Sequence, residues 1–207
     1  METRIRRLVS ELGTRFGGFT PDLANRAIYL YRKARKMRLL KKPGLNEWSL
    51  GLIYAACRER GIPITLQDIV GNNVTSKEQA KERKRMRYNV NRHKNLISKS
   101  LKLKHVRPTV EGYITYFGGK MRADQPTVTE AIAVSEANTK LNAAPHVIAA
   151  AALYISLDRR GKPPSQRSYC HETNISEISL RNWCKQLGGM PSRKPSRVPE
   201  IVAGDID

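Results

Sequence analysis

Cysteine is scarce in this chain, and its three copies, Cys57, Cys170 and Cys184, share no CxxC spacing. That argues against a disulfide framework or a thiolate zinc site; Cys57 and Cys184 lie on apolar helical faces and read as reduced core thiols of an intracellular protein. Cys170 stands beside His171, but two adjacent ligands without a second pair do not make a metal site, so neither a metal nor a cofactor is expected. Long apolar runs are also lacking. The most apolar stretch, Val147 to Leu157, is far short of the roughly 20 residues that cross a bilayer. The opening METRIRRLVSEL spreads charges through itself where a secretory signal would have an apolar core. A cytoplasmic chain with no membrane segment is expected. Period-two alternation is absent too, because Val and Ile follow helical spacing, and no strand is predicted.

Acidic residues are few where basic ones are many. Residues 1–107 hold 26 Lys and Arg against 8 Asp and Glu, whereas 108–207 hold 12 against 10. The net charge of +20 makes a polyanion the natural partner, and the first half supplies most of the field. The densest part is Ser76 to Arg107, with twelve Lys or Arg, two His and two Glu. Within it the run Lys81 to Arg87 is too basic to pack on both sides, while Met86, Val90 and Ile97 offer one anchoring seam. Phosphate contact is expected from Lys77, Lys81, Lys84, Arg85 and Arg87. The machinery of an enzyme is missing from the pattern: His93, His105, His146 and His171 have no evident nucleophile or carboxylate partner, and the Gly pairs at 17 and 118 lack the strand and helix that frame a phosphate loop.

The apolar spacing predicts helices throughout. Ile5, Leu8, Val9, Leu12 and Phe16 make a first helix ending at Gly17-Gly18. Thr20 as cap and Pro21 at N1 open a second, with Leu23, Ala27, Leu30, Tyr31 and Ala34 inside and Arg32, Lys33, Arg35, Lys36 and Arg38 outside, closed by the turn Lys41 to Gly44. Trp48 to Arg58 is apolar nearly all round and reads as a buried central helix. Thr65 and Asp68 form a capping-box pattern for a short helix ended by Gly71-Asn72-Asn73, and a long helix starts near Thr75 or Ser76 and runs to about Ser98.

The second half repeats this plan at an offset of one hundred. Tyr54 matches Tyr154, Gly61 matches Gly161, Pro63 matches Pro163, and Thr65 has its counterpart in Ser165. Tyr113, Tyr116 and Phe117 mark the counterpart of the first helix, and Pro126 with Thr127 the start of the second. Identities that keep the same order of elements indicate a duplicated unit. The expected fold is all-α, with residues 1–100 as first repeat, 101–188 as second and 189–207 as a flexible tail.

The second repeat closes on Ser165 to Leu187. Ser165 caps a short helix, a polar turn follows around Thr173 and Asn174, and Ser176 caps a second helix stapled by Ile175 and Leu180. At about 100° per residue, Leu180, Trp183, Cys184 and Leu187 share one face and Ile178, Arg181, Asn182 and Lys185 the other. This is the layout of a helix-turn-helix with one face to pack and one to offer.

Leu52-Ile53-Tyr54-Ala55-Ala56-Cys57-Arg58, Ala150 to Ile155 and Ile175 to Asn182, together with the two-repeat plan, resemble the core of archaeal transcription factor B and its eukaryotic counterpart. The resemblance covers about residues 4 to 187. It implies tandem five-helix, cyclin-like folds, the first gripping TATA-binding protein on bent promoter DNA and the second reading an upstream element through its helix-turn-helix. By position, Ile178 and Arg181 match the residues that touch bases, with Arg167, Ser179 and Lys185 at phosphates. The family's amino-terminal zinc ribbon and reader segment have no counterpart before Arg4, leaving a core alone or a shortened relative as the two readings. The segment Lys77 to Lys104 is more basic than the family's first-repeat helix-turn-helix. A promoter-DNA-binding, nucleoid-associated monomer acting with TATA-binding protein is the first expectation; the same scaffold turned to RNA or the ribosome is the second, and a cyclin-like protein adaptor the third.

Overall fold

The computed structural model describes residues 1–16, 20–40, 44–71, 76–137, 143–161 and 163–188. The expected tail, the turn at 41–43, the Gly pair at 17 and 18 and residues 72–75 lie outside them. Among the described residues every regular element is a helix, ten in all.

The first five are α1 (Glu2–Phe16), α2 (Pro21–Lys36), α3 (Leu45–Glu59), α4 (Leu66–Val70) and α5 (Lys77–Ser100). The centre is α3. Every residue from Trp48 to Cys57 is buried, because α1, α2, α4 and α5 cover it on successive sides. Small residues set how close the neighbours come. A Cβ on Gly51 would stand 2.9 Å from the His93 Cβ and 3.3 Å from the Val90 carbonyl oxygen of α5. Trp48 stacks on His93 beside this contact, with ring centroids 3.9 Å apart.

The second five are α6 (Val110–Met121), α7 (Gln125–Glu136), α8 (Pro145–Arg159), α9 (Gln166–Thr173) and α10 (Glu177–Gln186). Here α8 takes the central place, buried from Ile148 to Leu157, with α6, α7 and α10 packed around it. The spans of α3 and α8 differ by one hundred residues at both ends, so the duplication seen in the sequence is carried by the framework. Each repeat has its own apolar cluster, one centred on Leu52, Ile53 and Ile64 and the other on Ile114, Leu153 and Tyr169.

Two helix starts differ from expectation. Thr20 occupies the N-cap of α2, but its side chain makes no cap bond. Its main-chain carbonyl already accepts from the Leu23 and Ala24 amides, so the N3 donor that the hydroxyl would serve is satisfied. The cap of α7 is Asp124, upstream of the expected Pro126-Thr127, and its carboxylate accepts from the Thr127 amide at 3.0 Å. The other caps stand as the sequence indicates. Thr65 and Asp68 form the reciprocal capping box of α4, and Ser76, Ser165 and Ser176 accept from the Gln79, Ser168 and Ser179 amides.

Candidate nucleic-acid interface

The helix-turn-helix is α9 and α10, joined through Asn174 in the left-handed region at φ 58°. Asn tolerates that conformation better than most residues, and the single left-handed step turns the chain sharply enough to set α10 across α9. Ser176 then caps α10, with Glu177 in the first turn where the helix dipole favours a carboxylate. Leu180, Cys184 and Leu187 are buried against the second repeat's core, and Trp183 is half-buried.

The opposite face is solvent-facing, with Ile178, Arg181, Asn182 and Lys185 all exposed. Ile178 is 69% exposed, unusual for a side chain that gains from burial. Arg181 is held in place rather than loose: its Nε donates to the Gln166 side chain at 3.0 Å and an Nη to Glu177 at 2.7 Å. That orients the guanidinium along the outer face, spanning α9 and α10. Of the residues expected at phosphates, Arg167 and Lys185 are exposed on this same unit. Ser179 is half-buried, and its hydroxyl is engaged with Ser176 at 2.8 Å in the cap. Either hydroxyl can donate in that contact, and with Ser176 as donor the Ser179 hydrogen is available to a phosphate.

On α5 the charged residues gather in the first half. Lys77, Lys81, Lys84 and Arg85 are exposed, and Arg87 is half-buried. The helix carries nine Lys or Arg against two Glu. Its apolar seam begins only at Met86 and Val90, so the turns before it have little to pack against. Tyr88, 68% exposed, adds an aromatic face to this basic surface. Arg83 departs from the rest by turning back to donate to the Val70 carbonyl, which ties α5 to the end of α4.

What the sequence did not reveal is the joint that holds these two surfaces in one frame. The side chain of Lys120 in α6 is nearly covered, with its ammonium 2.9 Å from Asp68 of α4. It also donates to the main-chain carbonyl of Glu172 in α9 and lies 3.7 Å from that residue's carboxylate. Asn174, the turn residue of the helix-turn-helix, donates to the Thr65 hydroxyl at 3.1 Å and to Asp68 at 3.3 Å. The capping box of the first repeat thus doubles as the socket for the turn of the second. A buried charge pair of this kind survives only when its remaining donors and acceptors are satisfied, and here four donors converge on the Asp68 carboxylate.

Two histidines have neighbours the sequence did not suggest. His105 Nε2 is 2.7 Å from the Ser98 hydroxyl, and His171 is 3.6 Å from the Glu172 carboxylate on the surface. Among the described residues no cluster of His, Cys, Asp and Glu has the makings of a metal site, and no helix is long and apolar enough to cross a membrane.

Among the described residues these elements define a class: an all-helical protein of two cyclin-like repeats, the second closing on a helix-turn-helix. No protein-family model matches the chain. Its sequence is nevertheless similar to transcription initiation factors IIB of archaea. It is 29% identical over 190 residues to transcription initiation factor IIB 2 of Thermoplasma acidophilum, covering 87% of this chain and 57% of that protein. Against the factor IIB 2 of Thermoplasma volcanium it is 28% identical over 190 residues, covering 87% and 56%. Against the factor IIB of Archaeoglobus fulgidus it is 26% identical over 174 residues, covering 82% and 50%. The chain spans about half the length of these relatives.

Proposed function

We propose that this chain is a promoter-DNA-binding factor of the transcription factor B type that acts together with TATA-binding protein. The observation that carries the reading is the outer face of α10, where an exposed Ile178 stands beside an Arg181 already oriented by Gln166 and Glu177. Laid in a major groove, Ile178 packs on a thymine methyl and Arg181 donates to a guanine edge, each worth on the order of 1 to 3 kcal/mol of discrimination. Arg181 gives up an exposed ion pair to do so, which costs at most about 1 kcal/mol. Arg167, Lys185 and Ser179 fix register on the backbone. The basic half of α5 supplies sequence-independent affinity through Lys77, Lys81, Lys84, Arg85 and Arg87. The similarity to archaeal initiation factors supports a role in transcription.

The test is a selection from a random duplex pool with and without TATA-binding protein, followed by affinity measured against salt. The intact chain is expected to enrich a sequence, and Arg181→Ala to relax it by the loss of one base position. Lys84→Ala and Arg85→Ala are expected to weaken all duplexes alike, each lowering the log–log salt slope by about 0.9. A pool that emerges unenriched would defeat the reading. Co-sedimentation with ribosomes at moderate salt, with no gain in DNA affinity from TATA-binding protein, would replace DNA by RNA as the partner.

A further inference from the structure

Arg58, near the end of α3, is the hub of a second meeting place between the repeats. Its guanidinium donates to the Tyr54 hydroxyl at 2.7 Å, the Ile64 carbonyl at 3.2 Å and the Tyr113 hydroxyl at 3.3 Å. All three acceptors are neutral. Of its five N–H groups, two remain for a further ligand. Lys94 of α5 reaches the same place, with its ammonium 5.8 Å from the centre of the Tyr54 ring and the Arg58 guanidinium 4.9 Å from it, so two cations share one aromatic ring. The segment between the repeats is pinned alongside, because the Val106 amide donates to the Arg58 carbonyl at 2.9 Å. That sets His105 next to the pair, its Nε2 2.7 Å from Ser98. From α8, His146 lies against Tyr113, ring centroids 5.9 Å apart.

Four elements therefore each bring a cation or a protonatable ring to one half-buried place, and among the described residues the one acid that acts on it, Glu59, is already paired elsewhere. No ion pair among the described residues includes Arg58, Lys94, His105 or His146. The neighbouring acid, Glu59, is engaged by Arg26 through two bonds of 2.7 and 2.5 Å. The contrast with the other joint is instructive, since there Lys120 meets Asp68 directly.

From this clustering we infer that Arg58, Lys94, His105 and His146 together bind a tetrahedral oxyanion of the phosphate class. Like charges drawn together from separate elements repel one another, and a bound dianion turns that repulsion into attraction while accepting charge-assisted bonds from Arg58 and Lys94. Burial first, and this repulsion after it, makes the protonated forms of these groups harder to hold. Burial and then Arg58 hold the Lys94 ammonium below the usual lysine range. Burial, Lys94 and Arg58 do the same to His105 against an opposing pull from Glu59, and burial and Arg58 do so to His146. Lone oxyanions and nucleic-acid backbones present the same group, and both are tested. The site is independent of α10, so its fate and that of base reading by Arg181 are separable.

The experiment follows the histidine ring resonances of the full chain across pH, alone, with inorganic phosphate, and with a mixed-sequence DNA duplex. Phosphate is expected to raise the apparent pKa of His105 and His146. Lys94→Gln and the exposed variant His105→Gln are each expected to weaken that response, Lys94→Gln by about tenfold. A response to duplex but not to inorganic phosphate, with a salt slope lowered by about 0.9 in Lys94→Gln, assigns the site to a backbone phosphate. If neither ligand moves the two rings, or if both variants respond as the parent does, the inference fails. Loss of sequence preference in Arg181→Ala alone bears only on α10.

Discussion

Replacing Lys120 by Met tests the joint that sets the helix-turn-helix against the first repeat. The stem of the side chain is kept in volume, and the ammonium alone is removed. Both partners are nearly dry, with side-chain exposures of 6% for Lys120 and 4% for Asp68. Deleting one member of a buried pair typically costs 3 to 5 kcal/mol, because the other charge is stranded. The lower end applies here. Asp68 keeps the Thr65 amide, the Thr65 hydroxyl and Asn174 as donors, at 3.2, 2.6 and 3.3 Å, so its charge is still partly satisfied. A loss of about 3 kcal/mol corresponds to a melting temperature lower by about 6 to 12 °C for a chain of this size. Urea denaturation followed by circular dichroism measures it. Glu130→Gln serves as control, since it breaks the exposed pairs with Arg159 and Arg160 and should cost no more than about 1 kcal/mol. The joint also predicts a change in form: with the clamp gone, the two apolar clusters should lose stability to different degrees and the transition should broaden. A Lys120→Met variant within about 1 kcal/mol of the parent, melting as sharply, would refute the view that this pair holds the repeats together.

Two glycines predict opposite signs. Gly51→Ala drives a methyl into α5 and should destabilise by about 1 to 3 kcal/mol despite the better helix former, whereas Gly119→Ala, whose new Cβ meets nothing within 4 Å, should stabilise by up to about 1 kcal/mol in the same urea assay. The thiols predict both silence and an alkaline limit. Burial pushes Cys57 and Cys184 up to about 12 and Cys170 up to about 11, so a disulfide reagent at pH 8 should label none of them before unfolding. The unfolded thiols ionise near 8.5, so the native state keeps protons that the unfolded chain releases. Their contribution is full below that pH and is lost as pH rises through about 9 to 12; a denaturation midpoint that climbs over that window in the wild type but not in Cys57→Ala would contradict the assignment.

The helical framework was legible because its signals are local. The apolar surround of α3 and α8, the Gly and Pro after each, and the serines that cap α5 and α10 are all read within one or two turns. The offset of one hundred added the pairing of elements without any contact being known. The joint was not legible for the same reason. Asp68 announces itself as a capping residue for α4, and nothing near it in sequence points to Lys120, 52 residues on, or to Asn174, 106 residues on. Lys120 sits between Gly119 and Met121 and reads as one more surface lysine until the repeats are docked. The histidines missed their partners likewise, since the reach from Ser98 to His105 depends on a turn, with Lys102 at φ 51°, that periodicity does not describe.

On the proposed function, the division of labour between the repeats rests on two helices that begin alike and then part. Ser76 and Ser176 stand one hundred residues apart, and each accepts from the amide three residues on. Counting equally from these caps, α10 places Leu180, Cys184 and Leu187 where α5 places Ala80, Lys84 and Arg87. The first set is buried and fixes α10 on α8; the second holds an exposed Ala80 and Lys84, and the apolar seam of α5 starts only at Met86. A helix anchored along its length holds its outer side chains in one geometry, as base reading requires. A helix whose first turns are charge without packing gains little from fixed geometry and much from proximity to phosphate. One duplicated start thus yields two different instruments, and substitutions that exchange the two faces, Lys84→Leu or Cys184→Lys, should harm affinity in the first case and folding of the second repeat in the other.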